Sequence, residues 1–198
     1  MKAIMISIKP KWCALIMNGI KNIEVRKNKA LASAIQKLID ENGYADIYVY
    51  CSMARHIKDY LQIENDKYVC NVPKDYESEL NGKVVFKFRC YKVEEINIYF
   101  TANGYSYKTK TLNKNELCEN SCLHIIELDD YLLGKKGTAI HISDLEVFDK
   151  PKELSEFYKV GLYEDLNDCF TDEKQINGKW CIPLKKAPQN MCYVEVEE

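Results

Sequence analysis

A lysine, a glutamate and an arginine follow a glycine near the start of the chain. They are Lys21, Glu24 and Arg26, and the glycine is Gly19. Lysine and arginine side chains bind phosphate or carboxylate oxygens, and a glutamate can accept a proton or bind the edge of a base. These residues are therefore candidates for a binding or catalytic site. The alternative is a simple ion pair between Glu24 and Arg26 on a sheet surface, which would contribute only about 0–1 kcal/mol.

Five further residues are candidates for ligand contacts. A cation beside an aromatic ring, as in Lys9 and Trp12, is typical of sites that stack bases, although the helical spacing of Trp12 equally predicts a place in the core. Tyr50, Ser52 and His141 fall in strand-like segments, where they can line a pocket; the histidine can act as a general acid or simply hydrogen-bond within the sheet. The predicted ligand-binding set is Lys9, Trp12, Lys21, Glu24, Arg26, Tyr50, Ser52 and His141.

A short helix and a strand are predicted to hold the charged residues. Pro10 suits the first turn of a helix, and a glycine suits the left-handed residue that ends one, so a helix is predicted over Pro10–Asn18. In the following strand, Ile23 and Val25 point to one side while the glutamate and the arginine point to the other. The acid and the base are therefore predicted to share a strand face that the apolar residues leave free.

The rest of the chain predicts a mixture of strands and short helices. Ala30–Glu41 has helical spacing, and Ala45–Cys51 alternates as a strand with one buried face. Residues 101–123 are polar and are predicted to form an exposed, mobile excursion. The pattern favours an α+β fold with a barrel of mixed or antiparallel strands and flanking short helices over a doubly wound sheet. The other predicted elements are strands over Lys83–Tyr91, Val93–Phe100, Thr138–Phe148 (ended by Pro151), Trp180–Leu184 and Met191–Val196, and helical segments over Glu127–Leu133 and Lys152–Lys159.

Composition predicts a single intracellular domain over residues 1–198. The net charge is −2, and no stretch approaches the roughly 20 apolar residues that cross a membrane. Nine cysteines without an export signal predict reduced thiols and a cytoplasmic location. Cys118, Cys122 and His124 lack a second paired half, so neither a metal site nor a cofactor is predicted. The first 29 residues carry seven cations against one acid, which favours a small anion or a short nucleic acid as the ligand.

The opening of the chain resembles that of the ASCH domain family, whose members carry a Gly-x-Lys-x-x-x-x-Arg element on a small PUA-like β-barrel. Gly19, Lys21 and Arg26 match this element residue by residue. The resemblance identifies nearly the whole chain as one ASCH domain of a bacterial and phage branch. That branch usually carries aromatic residues where this sequence has Ile140 and Met191. The other matching segments are Gly137–Leu145, Asp149–Pro151 and Ala187–Val194.

The resemblance implies an RNA-binding or nucleotide-binding protein with a basic cleft. One alternative is a hydrolase in which Lys21 and Glu24 are catalytic. Some small relatives are amidohydrolases on N4-acetylated cytidine with a threonine nucleophile near the shared lysine, whereas this segment has Glu24 and no hydroxyl; other relatives are ribonucleases. A second alternative is a protein-interaction factor whose basic face meets an acidic partner. Neither the identity of the ligand nor the oligomeric state follows from the sequence.

Overall fold

A computed structural model of the chain describes residues 2–27, 29–53, 59–71, 79–102, 104–161 and 173–196. Within these ranges the helices are α1 (Pro10–Met17), α2 (Lys29–Asn42), α3 (Lys114–Ser121), α4 (Ile125–Leu132) and a 3₁₀ turn (Leu154–Glu156). The strands are β1 (Lys2–Ile8), β2 (Ile23–Arg26), β3 (Ala45–Cys51), β4 (Tyr60–Glu64), β5 (Lys67–Asn71), β6 (Val84–Cys90), β7 (Val93–Thr101), β8 (Gly104–Lys108), β9 (Gly137–His141), β10 (Ser143–Lys152), β11 (Tyr158–Val160), β12 (Lys174–Ile176), β13 (Lys179–Pro183) and β14 (Met191–Glu195). None of the described helices is both long enough and apolar enough to cross a bilayer.

The chain divides into two compact units. The first comprises Met1–Ala14, Asp46–Lys87 and Glu146–Glu198, and the second comprises Leu15–Ala45 and Phe88–Leu145. Most of an eight-stranded sheet, in the order β10-β6-β3-β1-β14-β11-β13-β12, belongs to the first unit. A four-stranded sheet, in the order β2-β9-β7-β8, belongs to the second.

In the first unit, β1 pairs in parallel with β3 and antiparallel with β14. The strand over Ala45–Cys51 has the predicted bounds, but all seven of its residues are buried, so the expectation of one exposed face is wrong. The residues of both faces of β3 are covered, among them Ile47 and Val49 on one face and Tyr48 and Tyr50 on the other. The pairs β11–β13, β2–β9, β7–β8 and β7–β9 are antiparallel, so together with the parallel pair β1–β3 they confirm the predicted α+β class with mixed pairing.

In the second unit, one face of the four-stranded sheet carries the core. Ile23 and Val25 of β2 point into it as predicted, and the helices α3 and α4 supply its other side through Leu117, Leu128 and Leu132. Helix α2 packs against β7 and β9. The second unit therefore places α3 and α4 directly beside the edge strand β2.

Residues 101–123 do not form the exposed excursion that their polarity predicts. They contain the end of β7, all of β8 and the helix α3. Tyr107 and Leu117 are completely buried, and the Tyr107 hydroxyl accepts a hydrogen bond from the Gly134 backbone N–H at 3.0 Å. This polar segment therefore forms a strand and a helix, each of which buries one face.

The predicted strand over Thr138–Phe148 is two strands. β9 ends at His141 and β10 begins at Ser143, because the chain leaves the four-stranded sheet there and joins the eight-stranded one. Pro151 does not end β10, which runs to Lys152. A proline is tolerated at this position because β10 is an edge strand, where the missing N–H costs no ladder hydrogen bond.

Candidate functional site

The predicted charged residues lie on and just before β2, at the edge of the four-stranded sheet. Helix α1 ends before Gly19, which adopts a left-handed φ of +70°. The turn that follows is fixed at both ends: the Lys21 N–H donates to the carbonyl of Leu15 at 3.1 Å, and the Asn22 N–H donates to that of Asn120 at 2.9 Å. The backbone therefore holds the lysine in one place before the strand begins.

The side chain of Lys21 points into the protein, and only 2% of the residue is exposed. Its amine donates hydrogen bonds to the carbonyls of Ile23 and Ser121, both at 2.7 Å, and lies 3.4 Å from Oε2 of Glu24. Ser121 ends α3, where the helix carbonyls lack partners and attract a cation. Burial lowers the pKa of the Lys21 amine, and the Glu24 carboxylate opposes that effect. Lys21 thus links α3 to β2.

Glu24 lies between the two cations and is itself buried. Its Oε1 is 2.8 Å from Nε of Arg26, and the side chains of the two residues are 8% and 16% exposed. The expectation that the apolar residues leave the Glu24 face free is therefore wrong, because this face is covered. A pair with so little solvent around it differs from the surface ion pair considered above, since water does not screen it.

Two residues that the sequence did not single out lie beside Arg26. Lys27 is exposed, and its amine lies 4.7 Å from the ring centre of Tyr131, a residue of α4. Burial raises the pKa of the Tyr131 hydroxyl, and the positive charge of Arg26 opposes that effect. The signal for Lys27 was present in the basic opening of the chain, whereas only the packing of α4 brings Tyr131 next to it.

His141 belongs to a different cluster in the same unit. Ile23 is the register partner of His141, and Glu24 is the partner of the neighbouring residue of β9. Because successive side chains of a strand alternate, His141 and Glu24 point to opposite faces of the sheet. The structure does not bring them together. His141 Nε2 instead lies 2.7 Å from Oε2 of Glu94.

Glu94 is the centre of that second cluster, and sequence reasoning missed it. Its buried carboxylate contacts the Lys92 amine at 3.0 Å and accepts hydrogen bonds from the Thr111 hydroxyl and backbone N–H. Burial alone would raise the pKa of Glu94, but the hydrogen bonds from Lys92, Thr111 and His141 outweigh it and lower the pKa to about 2. The carboxylate is therefore a weak base that holds the histidine ring in a fixed position.

The four remaining predicted residues lie in the first unit. Lys9 is exposed, and its carbonyl begins α1 by accepting from the Trp12 N–H at 3.0 Å. The ring of Trp12 is half-buried and carries the amine of Lys11 4.4 Å from its centre. Tyr50 is buried, and burial raises the pKa of its hydroxyl. The Ser52 N–H donates to the carbonyl of Ile8 at 2.8 Å.

The residues considered for a metal have other partners. His124 is the N-cap of α4 and accepts from the Ile126 N–H through Nδ1 at 3.3 Å. The Cys122 thiol lies 3.6 Å from the carbonyl oxygen of Ile20, and Cys118 is buried. Within the described ranges, no group of three or more histidine, cysteine, aspartate and glutamate side chains is placed to hold a metal ion. The eight cysteines in those ranges are free thiols.

Comparison with known proteins connects this geometry to one family. Residues 6–100 match the ASCH domain family. The matched segment contains the helix α1, the glycine turn and the whole of β2. It therefore includes Lys21, Glu24 and Arg26, together with Glu94 of the second cluster, but it ends before Tyr131 and His141.

One solved structure shows a similar fold, and two others have lower scores. The crystal structure of ASCH from Zymomonas mobilis has a TM-score of 0.50 and 16% identity, and the match covers 96% of this chain and 86% of that one. A mutant of the same Zymomonas mobilis protein gives a TM-score of 0.45, 16% identity and coverages of 96% and 87%. The N-terminal domain of Staphylothermus marinus McrB gives a TM-score of 0.39, 8% identity and coverages of 94% and 89%. No curated protein matches the sequence significantly.

Proposed function

We propose that this chain is an ASCH protein of the PUA-like superfamily that binds RNA or a nucleotide through Arg26 and Lys27, with Tyr131 as a stacking surface and Glu24 as an acceptor for a base edge. One observation supports it above the others: a buried carboxylate is held between two cations at a sheet edge, and an exposed lysine and a half-exposed tyrosine lie beside it. Both the match to the ASCH family and the residue-by-residue match at Gly19, Lys21 and Arg26 support the assignment.

The electrostatics of the cluster favour a ligand-binding role over a purely structural one. Burying an ion pair costs desolvation energy that its mutual attraction often fails to recover, so apolar residues would stabilise the sheet edge equally well. Ionisable groups held together in this way are enriched at functional sites. Arg26 is the most exposed of the three and presents a planar guanidinium, which matches the geometry of a phosphate.

Lys27 and Tyr131 supply the complementary part of the site. The lysine adds a second cation for the backbone, and an exposed aromatic face stacks bases without requiring a particular sequence, a contact usually worth about 1–3 kcal/mol per base. Glu24 can accept a hydrogen bond from an exocyclic amine or ring N–H of the base. Together these groups fit one or two nucleotides rather than a duplex.

Binding of a short single-stranded RNA and of uridine monophosphate should be measured by fluorescence anisotropy and calorimetry over a range of salt concentrations. We expect Arg26→Ala and Lys27→Ala to weaken RNA binding, and each to reduce the slope of log K against log salt by about 0.7 per lost phosphate contact. Tyr131→Leu should weaken binding without changing the slope, because it removes a ring and not a charge.

Arg89→Ala is the matched control. Arg89 lies in the same unit, also pairs with a carboxylate (Asp144, 3.9 Å), and also sits over a tyrosine ring (Tyr44, 4.5 Å). Its substitution should leave both affinity and salt slope unchanged. If the Arg26 and Lys27 variants bind RNA and uridine monophosphate with wild-type affinity and salt dependence, the proposed site is wrong.

A hydrolase is the second candidate, and the lowered pKa of the Lys21 amine is the observation that favours it. A desolvated lysine next to a carboxylate is suited to accept or donate a proton. Turnover of single-stranded RNA and of N4-acetylcytidine should be assayed with wild-type protein and with Glu24→Gln. An enzyme should lose about 10²-fold to 10⁴-fold in rate in the variant, whereas a pure binding protein should show no turnover in either form.

A further inference from the structure

The first unit contains a cavity that the proposed function does not use. It has a volume of about 210 Å³. Residues from β3, from the 3₁₀ turn and its flanks, and from β12 and β14 line it, and they include Tyr48, Phe157, Tyr158, Ile176 and Glu195. All of them belong to the first unit, whereas Glu24, Arg26, Lys27 and Tyr131 belong to the second.

Aromatic rings form one wall of the cavity. Tyr48 and Phe157 meet edge to face, with ring centres 5.1 Å apart and planes at 63°. The ring centre of Phe148 lies 6.3 Å from that of Tyr48. Aromatic rings present flat apolar faces, so this wall suits a flat ligand.

A buried carboxylate forms part of the polar lining, together with Lys152 and Glu156. Glu195 is 4% exposed, and its Oε1 lies 2.7 Å from the amine of Lys179, a half-exposed side chain. Glu195 is among the residues that line the cavity. A carboxylate offers about four lone-pair positions, so it can accept a hydrogen bond from a ligand N–H in the cavity as well as from Lys179.

Volume and chemistry together define the class of ligand. A dry protein cavity of about 150 Å³ accommodates a benzene molecule, so a cavity of about 210 Å³ suits a single substituted ring. The lysine beside Glu195 already balances its charge, so the ligand does not need to be a cation. We propose that this cavity binds a planar nitrogen heterocycle of nucleobase size, with an exocyclic amine directed at Glu195.

The experiment uses the full chain and free bases, which carry no phosphate. Cytosine and 5-methylcytosine should be compared with uracil and thymine, in which a carbonyl replaces the exocyclic amine, by calorimetry and saturation-transfer NMR. We expect the amine-bearing bases to bind about tenfold or more tightly, the factor that corresponds to one hydrogen bond to a charged acceptor. Equal affinity for the two pairs, or no binding of any base, would overturn the proposal.

Two variants locate the site. Glu195→Gln should remove the preference for amine-bearing bases, and Val196→Phe should abolish binding because the larger ring fills the cavity that Val196 lines. Glu153→Gln is the control, since Glu153 also pairs with a lysine at 2.7 Å, through Lys83, but is exposed. Thermal melting shows whether each variant is folded. If Glu195→Gln does not fold, Val196→Phe alone tests the proposal.

The variants distinguish a failure of this inference from a failure of the proposed function. Arg26→Ala should leave binding of the free bases unchanged. If Arg26→Ala abolishes base binding and Val196→Phe does not, the bases occupy the second unit; this inference is then wrong while the proposed function stands. If Val196→Phe abolishes base binding while RNA affinity is insensitive to Arg26, the inference stands and the proposed function fails.

Discussion

Replacement of Lys21 by alanine tests how the site is held together. The change removes two hydrogen bonds of 2.7 Å from a charged amine, to the carbonyls of Ile23 and Ser121, and an ion pair of 3.4 Å to Glu24. Each hydrogen bond to a charged group contributes about 1.5–3 kcal/mol, and removing one partner of a buried pair typically costs about 3–5 kcal/mol. Because the desolvation cost of the amine is relieved at the same time, we expect a total loss of about 3–5 kcal/mol.

Urea unfolding followed by circular dichroism measures this loss, with Lys136→Ala as the matched control. Lys136 also pairs with a glutamate, Glu95, at 3.0 Å, but both side chains are 50% exposed. An exposed pair of this kind contributes about 0–1 kcal/mol, so the control should be close to wild type. Equal m-values for the three proteins would show that the comparison concerns stability and not the extent of unfolding.

Lys21→Met separates the amine from its alkyl stem. It restores most of the buried apolar contact and leaves the two carbonyls and Glu24 without the cation. We expect it to be more stable than Lys21→Ala and still clearly less stable than wild type. If Lys21→Ala is within about 1 kcal/mol of Lys136→Ala, the hydrogen bonds from the amine do not hold α3 to β2, and the reasoning fails.

Two further predictions concern the second unit. Because the pKa of Glu94 is lowered to about 2 from 4.5, the carboxylate stabilises the folded state by up to about 3 kcal/mol above pH 4.5, and this is lost as the pH falls toward 2. Glu94→Gln should therefore lower stability at pH 7 in urea unfolding and lose its disadvantage near pH 2; a constant difference at all pH values would contradict the assignment. Gly137→Ala would place a methyl group 2.8 Å from Leu132 Cδ2 and 3.2 Å from the Arg26 carbonyl oxygen, so it should cost about 1–3 kcal/mol, whereas Gly19→Ala, with open space around it, should cost only the strain of its positive φ. A Gly137→Ala variant as stable as wild type would contradict the steric argument.

The elements near the start of the chain could be predicted because their signals are local. The helix predicted over Pro10–Asn18 is α1, which ends one residue earlier, and the helix predicted over Ala30–Glu41 is α2, which is one residue longer at each end. The signals for these helices, a proline, a glycine and an apolar spacing, all lie within one or two helical turns of the element that they predict. The strand over Ala45–Cys51 was bounded correctly for the same reason.

The part that could not be predicted depends on contacts between distant segments. Burial of all of β3 depends on the segments that pack on the two faces of its sheet, which the sequence of one strand does not reveal. The helix α3 had a local signal: Asn113 and Glu116 form a capping box in which each side chain accepts from the other's backbone N–H. The polar composition around it concealed that signal, and the burial of Tyr107 depends on the packing of α3 and α4.

The second cluster, around Glu94, could not be predicted for the same reason. Glu94, Thr111 and His141 come from three separate segments, and no spacing in the sequence relates them. The strand pairing of β7 with β9 brings two of them together, and the loop after β8 adds the third. His141 was therefore identified as a residue of interest, while its partner and the face of the sheet on which it lies were not.

The two cations of the Gly-x-Lys-x-x-x-x-Arg element have different physical environments, so we expect their substitution to have different effects on stability and on binding. Lys21 is buried against carbonyls, so it contributes to stability. Arg26 is more exposed and is followed by the exposed Lys27, so under the proposed function it contributes to ligand binding. The sequence motif alone does not distinguish the two side chains, because both can donate hydrogen bonds to a phosphate. Lys21→Ala should therefore lower the free energy of unfolding more than Arg26→Ala does, while in protein that remains folded Arg26→Ala should lower RNA affinity more than Lys21→Met. If the two measurements rank the variants in the opposite order, the buried amine reaches the ligand after all, and the sheet edge must open when the ligand binds.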